Sequence, residues 1–470
     1  MNNPLLTDDL LPKFDHVRTE HMEPAIDQIL SENRVKISQL AQQDEPTWET
    51  LAQPMQATED RLERAWSVIS HLNGVMNSDD LRKVYKNCLE KLTEYSTELS
   101  QNAELCEAYK KLAASDQYNE LSEAQRKSVD NTLRDFHLGG VDLPQEKKEQ
   151  YANLSMELSE LSNRFSDNVL DATQHWFKHI TDVEELAGVP ESALDGAKQA
   201  AQQKDLDGYV ITLDFPSFYP VMTYGDNRDL RREVYEAFVT RASDMGPDAG
   251  TWDNTPVMAE ILKRRHAMAQ LLGFDNYAER SLATKMARNV DEVLDFLNQL
   301  AAKSKPIAER EFAELKAFAR DTHGVEDLQA WDIGYYSEKL RQERYDISPE
   351  TLRPWFPVNK VVPGLFAVAE KLFDVQIEAK PDVETWHPDA TAYCISRNGG
   401  PLAWFYLDLY ARQGKRGGAW MADCRVRWRN LRGQLQLPVA FLTCNFTPPV
   451  NGKPSLLTHD EVTTLFHEFG

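Results

Sequence analysis

The feature that most restricts this chain is a helical period that dominates from about residue 55 onward. Leu62, Ala65, Trp66, Ile69 and Leu72 recur at spacings of three and four, so they share one helix face. After a break at Asn73-Gly74, Ser78 is placed to cap a second helix. Its first turn holds Asp79 and Asp80, where the macrodipole favours negative charge. The apolar stripe of that helix runs from Leu81 and Val84 through Cys88 and Leu92 to Leu99. Pro144 opens a third helix, with Tyr151, Leu154, Leu158, Leu161 and Phe165 along one side. Stripes of this width are core-packing faces, so the expected fold class is mainly α.

Two changes of texture interrupt the helices. Gly208 to Phe218 is rich in β-branched and aromatic residues and is predicted as a short strand ending near Pro216. This marks a boundary between an N-terminal helical domain, 1–205, and a second domain, 206–470. Helical patterns resume over Arg231–Arg241, Thr255–Leu272 and Val290–Ala319, the last interrupted or kinked at Pro306. Gly273 is suited to the left-handed conformation at a helix end. Past residue 350, Leu402–Tyr410 and Leu437–Phe446 read as strands. Pro438 and Pro448-Pro449 flank the second, which suits a sheet edge. Between the two strands lies Gln413-Gly-Lys-Arg-Gly-Gly, a flexible basic loop that lacks the spacing of a phosphate loop.

Composition narrows the function. The 470 residues carry a formal charge of −23, which disfavours a nucleic-acid partner. The 5 cysteines include no CxxC pair, so neither a disulfide framework nor a thiolate zinc site is expected, and a reducing compartment fits. No run approaches the roughly 18 apolar residues of a membrane span, and the first residues show no signal-peptide pattern. A cytoplasmic protein without membrane contact is expected.

The segment that could carry chemistry is Ser455–Gly470. Thr458 and Glu461 form a capping box, and Val462, Leu465, Phe466 and Phe469 follow a buried helical face. His467 and Glu468 fall in the third turn. In the pattern H-E-x-x-H, two imidazoles one turn apart hold one Zn²⁺ while the Glu faces the metal-bound water as general base. Only His467, Glu468, Phe469 and Gly470 of that pattern are present. With 11 histidines in the chain, about one His-Glu pair is expected from composition, so an ordinary pair on an amphipathic helix stays open.

The run HDEVTTLFHEFG resembles the active-site helix of the thimet oligopeptidase family, M3, of zinc metallopeptidases. Upstream blocks resemble that family in the same order: Val169-Leu-Asp-Ala-Thr, Leu271-Leu-Gly-Phe, Trp331-Asp-Ile-Gly-Tyr-Tyr, Trp386-His-Pro-Asp, Tyr406-Leu-Asp-Leu-Tyr-Ala-Arg-Gln-Gly-Lys and Leu437-Pro-Val-Ala-Phe-Leu-Thr-Cys-Asn-Phe. Asn3-Pro-Leu-Leu-Thr and Ser128-Val-Asp-Asn-Thr-Leu-Arg-Asp-Phe resemble its bacterial branch.

The resemblance implies a two-lobed helical fold around a deep channel, with a small sheet beside the zinc helix. It implies one Zn²⁺, short peptide substrates and a monomer. It makes His467 the first zinc ligand and Glu468 the general base. It makes Val439, Ala440, Phe441, Leu442 and Thr443 a sheet edge to which substrate adds as a strand, and Gly414, Gly417 and Gly418 part of a mobile loop near the channel. The second imidazole, a Glu ligand and the Tyr and His groups that stabilise the intermediate would all lie beyond Gly470. One imidazole binds zinc weakly. The alternative is therefore a catalytically inactive truncated fragment retaining at most peptide binding, with a frayed last turn and Val462, Leu465 and Phe466 uncovered. His459 is expected in a solvent-facing or cap-adjacent role, and His387 in a structural or surface one. Asp408 and Asp423 are read as surface or hydrogen-bonded groups that could meet a peptide amine.

Overall fold

A computed structural model describes residues 3–450, 452 and 454–470. Helices form where the three-and-four spacing predicts them. The helix Gln53–Val75 carries the first stripe and continues through Asn73-Gly74 for one residue beyond the expected break. Asp79–Ser100 follows, capped by Ser78, whose hydroxyl accepts the Leu81 N–H at 3.3 Å. Gln145–His175 starts directly after Pro144. Gln53–Val75 and Asp79–Ser100 pack with Thr19–Ala41 and Ala103–Ala113 around one core that holds Ile26, Leu51, Ile69 and Leu105. None of the described helices is long and apolar enough to cross a membrane.

The predicted strand at 208–218 is shorter than expected. Strand β1, Phe177–Ile180, pairs antiparallel with β2, Tyr209–Thr212. The chain then enters a helix, Phe215–Tyr224, with Pro216 in its first turn, where the missing N–H costs no helical bond. Pro306 does not end its helix either, which runs from Val290 to His323.

Beyond residue 373 the chain builds a five-stranded sheet: β3 Gln376–Ala379, β4 Ala390–Arg397, β5 Gly400–Tyr410, β6 Trp420–Arg425 and, after the small hairpin of β7 Trp428–Arg429 and β8 Leu435–Gln436, β9 Val439–Phe446. The spatial order is β3-β4-β5-β9-β6, with β9 parallel to β5 and antiparallel to β6. This corrects the expectation that 439–446 forms a sheet edge. The backbone on both sides of β9 is engaged, Phe441 pairing with Tyr406 on one side and Ala422 on the other. Its apolar content is the reason, since a strand covered on both faces belongs inside a sheet.

Successive side chains of a strand point to opposite faces, and here the two faces serve two cores. Tyr406, Val439 and Phe441 join the core of the N-terminal helices. Phe405, Leu407, Leu409, Leu442, Cys444 and Phe446 pack against the helix Val358–Phe373 and against Leu457 and Leu465. The sheet is thus a layer between N-terminal helices and the C-terminal helix His459–Phe469. On its N-terminal face, His71 stacks on Phe441 at 3.7 Å and meets Trp386 edge-on at 4.1 Å. Both His71 ring nitrogens are buried without a hydrogen-bond partner, and burial pushes its pKa down to about 3.

Candidate active site

The helix His459–Phe469 begins as its capping box requires. The Glu461 N–H donates to Thr458 Oγ1 at 3.1 Å, and the Thr458 N–H donates to Glu461 Oε2 at 2.7 Å. The second Glu461 oxygen has its own task. Oε1 accepts the N–H of Thr447, the residue after β9, at 3.1 Å, and the Thr447 hydroxyl at 3.4 Å. Burial pushes the Glu461 pKa up against these hydrogen bonds. The Ser455 hydroxyl closes the same corner on the Thr447 carbonyl at 2.6 Å.

The last turns are covered more fully than the sequence suggests. Leu465 is fully buried between β9 and the Val358–Phe373 helix, and Val462 and Phe469 pack against the same cluster. The expectation that Val462 and Leu465 stand uncovered therefore fails, because the sheet supplies their partners. Phe466 is exposed at 39%. His467 is exposed and Glu468 half-buried. Beneath them, burial pushes the Cys444 thiol up to about 12, with the charges of Lys415 and Glu468 in reach.

The residues proposed for substrate are placed differently. Val439, Phe441, Leu442 and Thr443 are buried and only Ala440 is partly open, so the backbone edge expected of them is already spent within the sheet. The outer strand on that side is β6, part of which is held by Ser67, whose hydroxyl donates to the Cys424 carbonyl at 3.1 Å. The glycine loop is fastened at its first half. The Gly414 carbonyl accepts the Asn77 N–H at 2.8 Å, and the Arg416 N–H donates to the Gly74 carbonyl at 2.8 Å. Gly414 has φ +75°, and a Cβ there would lie 2.9 Å from the Asn77 carbonyl oxygen, so this close approach requires glycine. Gly417 and Gly418 are exposed, and the Asn445 side-chain amide on β9 donates to the Gly418 carbonyl at 2.6 Å and to the Arg416 carbonyl at 2.9 Å.

What fastens the loop is a buried charge cluster. Asp408 on β5 is fully buried; Arg412 reaches both of its oxygens at 2.7 Å and Lys415 reaches Oδ1 at 2.7 Å. The Trp386 indole N–H donates to Oδ2 at 2.9 Å. Burial opposes the Asp408 charge, but hydrogen bonds from Arg412 and the charges of Lys415 and Arg412 outweigh it and hold its pKa below the ordinary range. Arg412 also donates to the Val75 carbonyl at 3.0 Å, tying the cluster to the end of the Gln53–Val75 helix. Asp408 therefore has no oxygen to offer a peptide amine. Asp423 is exposed on β6. His459 lies exposed in the first turn of its helix, and His387 accepts the Asp389 N–H through Nδ1 at 3.2 Å. The sequence reading missed this joint and the second use of Glu461. An Asp inside an otherwise apolar strand, followed by Arg four and Lys seven residues later, was the available signal for the first.

The donor set can be tested against zinc. Catalytic zinc takes three protein ligands plus water. No group of three or more His, Cys, Asp or Glu side chains that could hold a metal ion occurs among the described residues, so those residues alone do not make up such a site. A separate cleft of ≈ 810 Å³ lies between residues 5–10, the Gln53–Val75 helix and the β7–β8 hairpin, and neither His467 nor Glu468 lines it.

Comparison with known proteins places the chain. Residues 221–470 match the family model for peptidase family M3, and residues 26–148 match that for the neurolysin/thimet oligopeptidase N-terminal domain. The chain is 53% identical to oligopeptidase A of Escherichia coli (strain K12) over its whole length, which spans 69% of that relative. It is 50% identical to oligopeptidase A of Haemophilus influenzae, again over 100% of this chain and 69% of the relative. Identity to the dipeptidyl carboxypeptidase of E. coli (strain K12) is 30%, with the same coverage. A crystal structure provisionally assigned as an oligoendopeptidase F from Bacillus anthracis shares the fold, with a TM-score of 0.52 at 17% identity, covering 93% of this chain and 63% of that one. On the match over 221–470 and the 53% identity, the chain belongs to peptidase family M3.

Proposed function

We propose that this chain supplies the first metal ligand and the general base of a zinc-dependent endopeptidase of short peptides, working in the cytoplasm and as a monomer. His467 contributes one imidazole to the metal, and Glu468 is the general base toward the attacking water. The observation that carries this reading is the seating of the His459–Phe469 helix. Leu465 locks it onto the sheet, leaving His467 exposed and Glu468 half-buried in the same turn. Zinc supplies electrophilic activation when bound, and no group of three or more candidate ligands occurs among the described residues. The chain divides into an N-terminal helical domain, 1–205, and a catalytic domain, 206–470. Substrate meets the chain in the neighbourhood of β6 and of the exposed Gly417 and Gly418.

The test is hydrolysis of an internally quenched peptide by the full-length protein, with and without a metal chelator and after Glu468→Gln. Loss of turnover in both arms is expected. Turnover indifferent to chelator, or retained by the Gln variant, would overturn the proposal. A second reading, a non-catalytic form that only binds peptide, is favoured by the incomplete ligand set. Stoichiometric zinc together with hydrolysis would remove it.

A further inference from the structure

We propose that Glu461 is a positioning residue that fixes the height of the His459–Phe469 helix over β9 and thereby the placement of Glu468. A capping box uses the carboxylate of a Glu for the backbone N–H of the cap residue, and Gln serves equally well there. In this chain Oε2 does that work on Thr458, at 2.7 Å, while Oε1 is spent on Thr447, 14 residues upstream, at 3.1 Å. Thr447 directly follows β9, whose last residues, Cys444 and Phe446, form the floor on which Leu465 lies. One carboxylate therefore links the first turn of the helix to the end of the strand beneath its last turns. A rigid helix tethered at its first turn and packed through Leu465 has little freedom to slide along the sheet. Glu468 lies one turn beyond Leu465, so sliding would displace it.

The two uses of the carboxylate can be separated. In Glu461→Gln, one oxygen remains to accept a backbone N–H, but the amide NH₂ faces the other, donor against donor. The cap survives or the tether survives, never both as they stand. The preference for the cap follows from the shorter of the two contacts. Glu461→Ala loses both.

Cys444 supplies a local gauge, since it is fully buried on β9 under this helix. Cys88 and Cys106, also buried, belong to the distant N-terminal core and serve as references. The experiment is residue-resolved thiol labelling of the whole chain under native conditions. Glu461→Gln is expected to label Cys444 at least about fivefold faster than the parent chain, with Cys88 and Cys106 unchanged. Labelling at Cys444 that stays in step with Cys88, whether both remain slow or both rise together, overturns the proposal. A role confined to capping would leave Cys444 unmoved in Glu461→Gln.

The link to Glu468 rests on the proposed function and is read separately. In peptide hydrolysis, Glu461→Gln is expected to lower kcat about tenfold at unchanged KM, and a raised KM at unchanged kcat overturns that link. Absence of hydrolysis in the full-length parent would count against the proposed function, and the labelling result would still decide the tether.

Discussion

The two sides of this molecule treat their apolar stripes differently. Before residue 200 the large apolar side chains left exposed among the described residues are Val35, Met76, Phe177 and Val183, scattered singly. The helix Val290–His323 alone exposes Leu294, Phe296, Leu297, Leu300, Ile307 and Phe312, and buries Leu315 and Phe318 only near its end. Both regions have helical periodicity of the same kind. A stripe announces that a helix can pack, while its burial depends on whether a second surface meets it. The C-terminal helix lies between these cases, with Leu465 fully buried and Phe466 open.

The largest expected effect lies where the five-stranded sheet is joined to the N-terminal helices. Asp408→Ala leaves the Lys415 and Arg412 charges without their carboxylate, and removing one partner of a buried pair costs about 3–5 kcal/mol. Urea unfolding should show this loss, and a loss under about 1 kcal/mol would mean that the joint does not hold the halves together. Next comes Leu465→Ala, expected to cost about 2–5 kcal/mol as a cavity in a closed core. Its neighbour Phe466→Ala should change stability by under about 0.5 kcal/mol. Equal losses at both would break the contrast between the two faces of that helix.

A third effect depends on pH. The His71 pKa, about 3 when folded, lies below the ordinary value of 6.5. The unfolded chain therefore binds the extra proton first. Stability from the neutral buried ring is complete above pH 6.5 and falls as pH drops toward 3, by about 1.4 kcal/mol per unit at full slope. Comparing unfolding of the parent and His71→Phe between pH 7 and 4.5 checks the sign, since the variant should lose this slope. The smallest effect is expected on the exposed stripe. Leu297→Ser with Leu300→Ser should shift stability by no more than about 0.5 kcal/mol and reduce binding of a hydrophobic dye. A much larger loss would show that this face has a partner in solution.

Much of this was legible in the sequence. Ser78, Pro144 and the Thr458–Glu461 box sit where local chemistry placed them, because capping depends on residues within one turn. Both long strands near the C-terminus were visible from their apolar and aromatic content. What period and propensity could not convey was sheet order. Nothing local to 439–446 states that its neighbours are β5 and β6, since that follows from pairing between distant segments. The same limit hid the Asp408 joint, which depends on the end of the Gln53–Val75 helix, and the second ligand of Glu461. Pro216 was misread because a proline that ends a strand can equally begin a helix.

The strand order has a consequence for how the protein is made. Of the five strands in this sheet, 439–446 is synthesised after the other four and occupies an inner berth between two segments that emerge earlier. Until it arrives, 400–410 and 420–425 each present a bare hydrogen-bonding rim, and they cannot close on one another without shutting it out. The sheet must therefore wait for its final member, a non-local insertion of the slow kind.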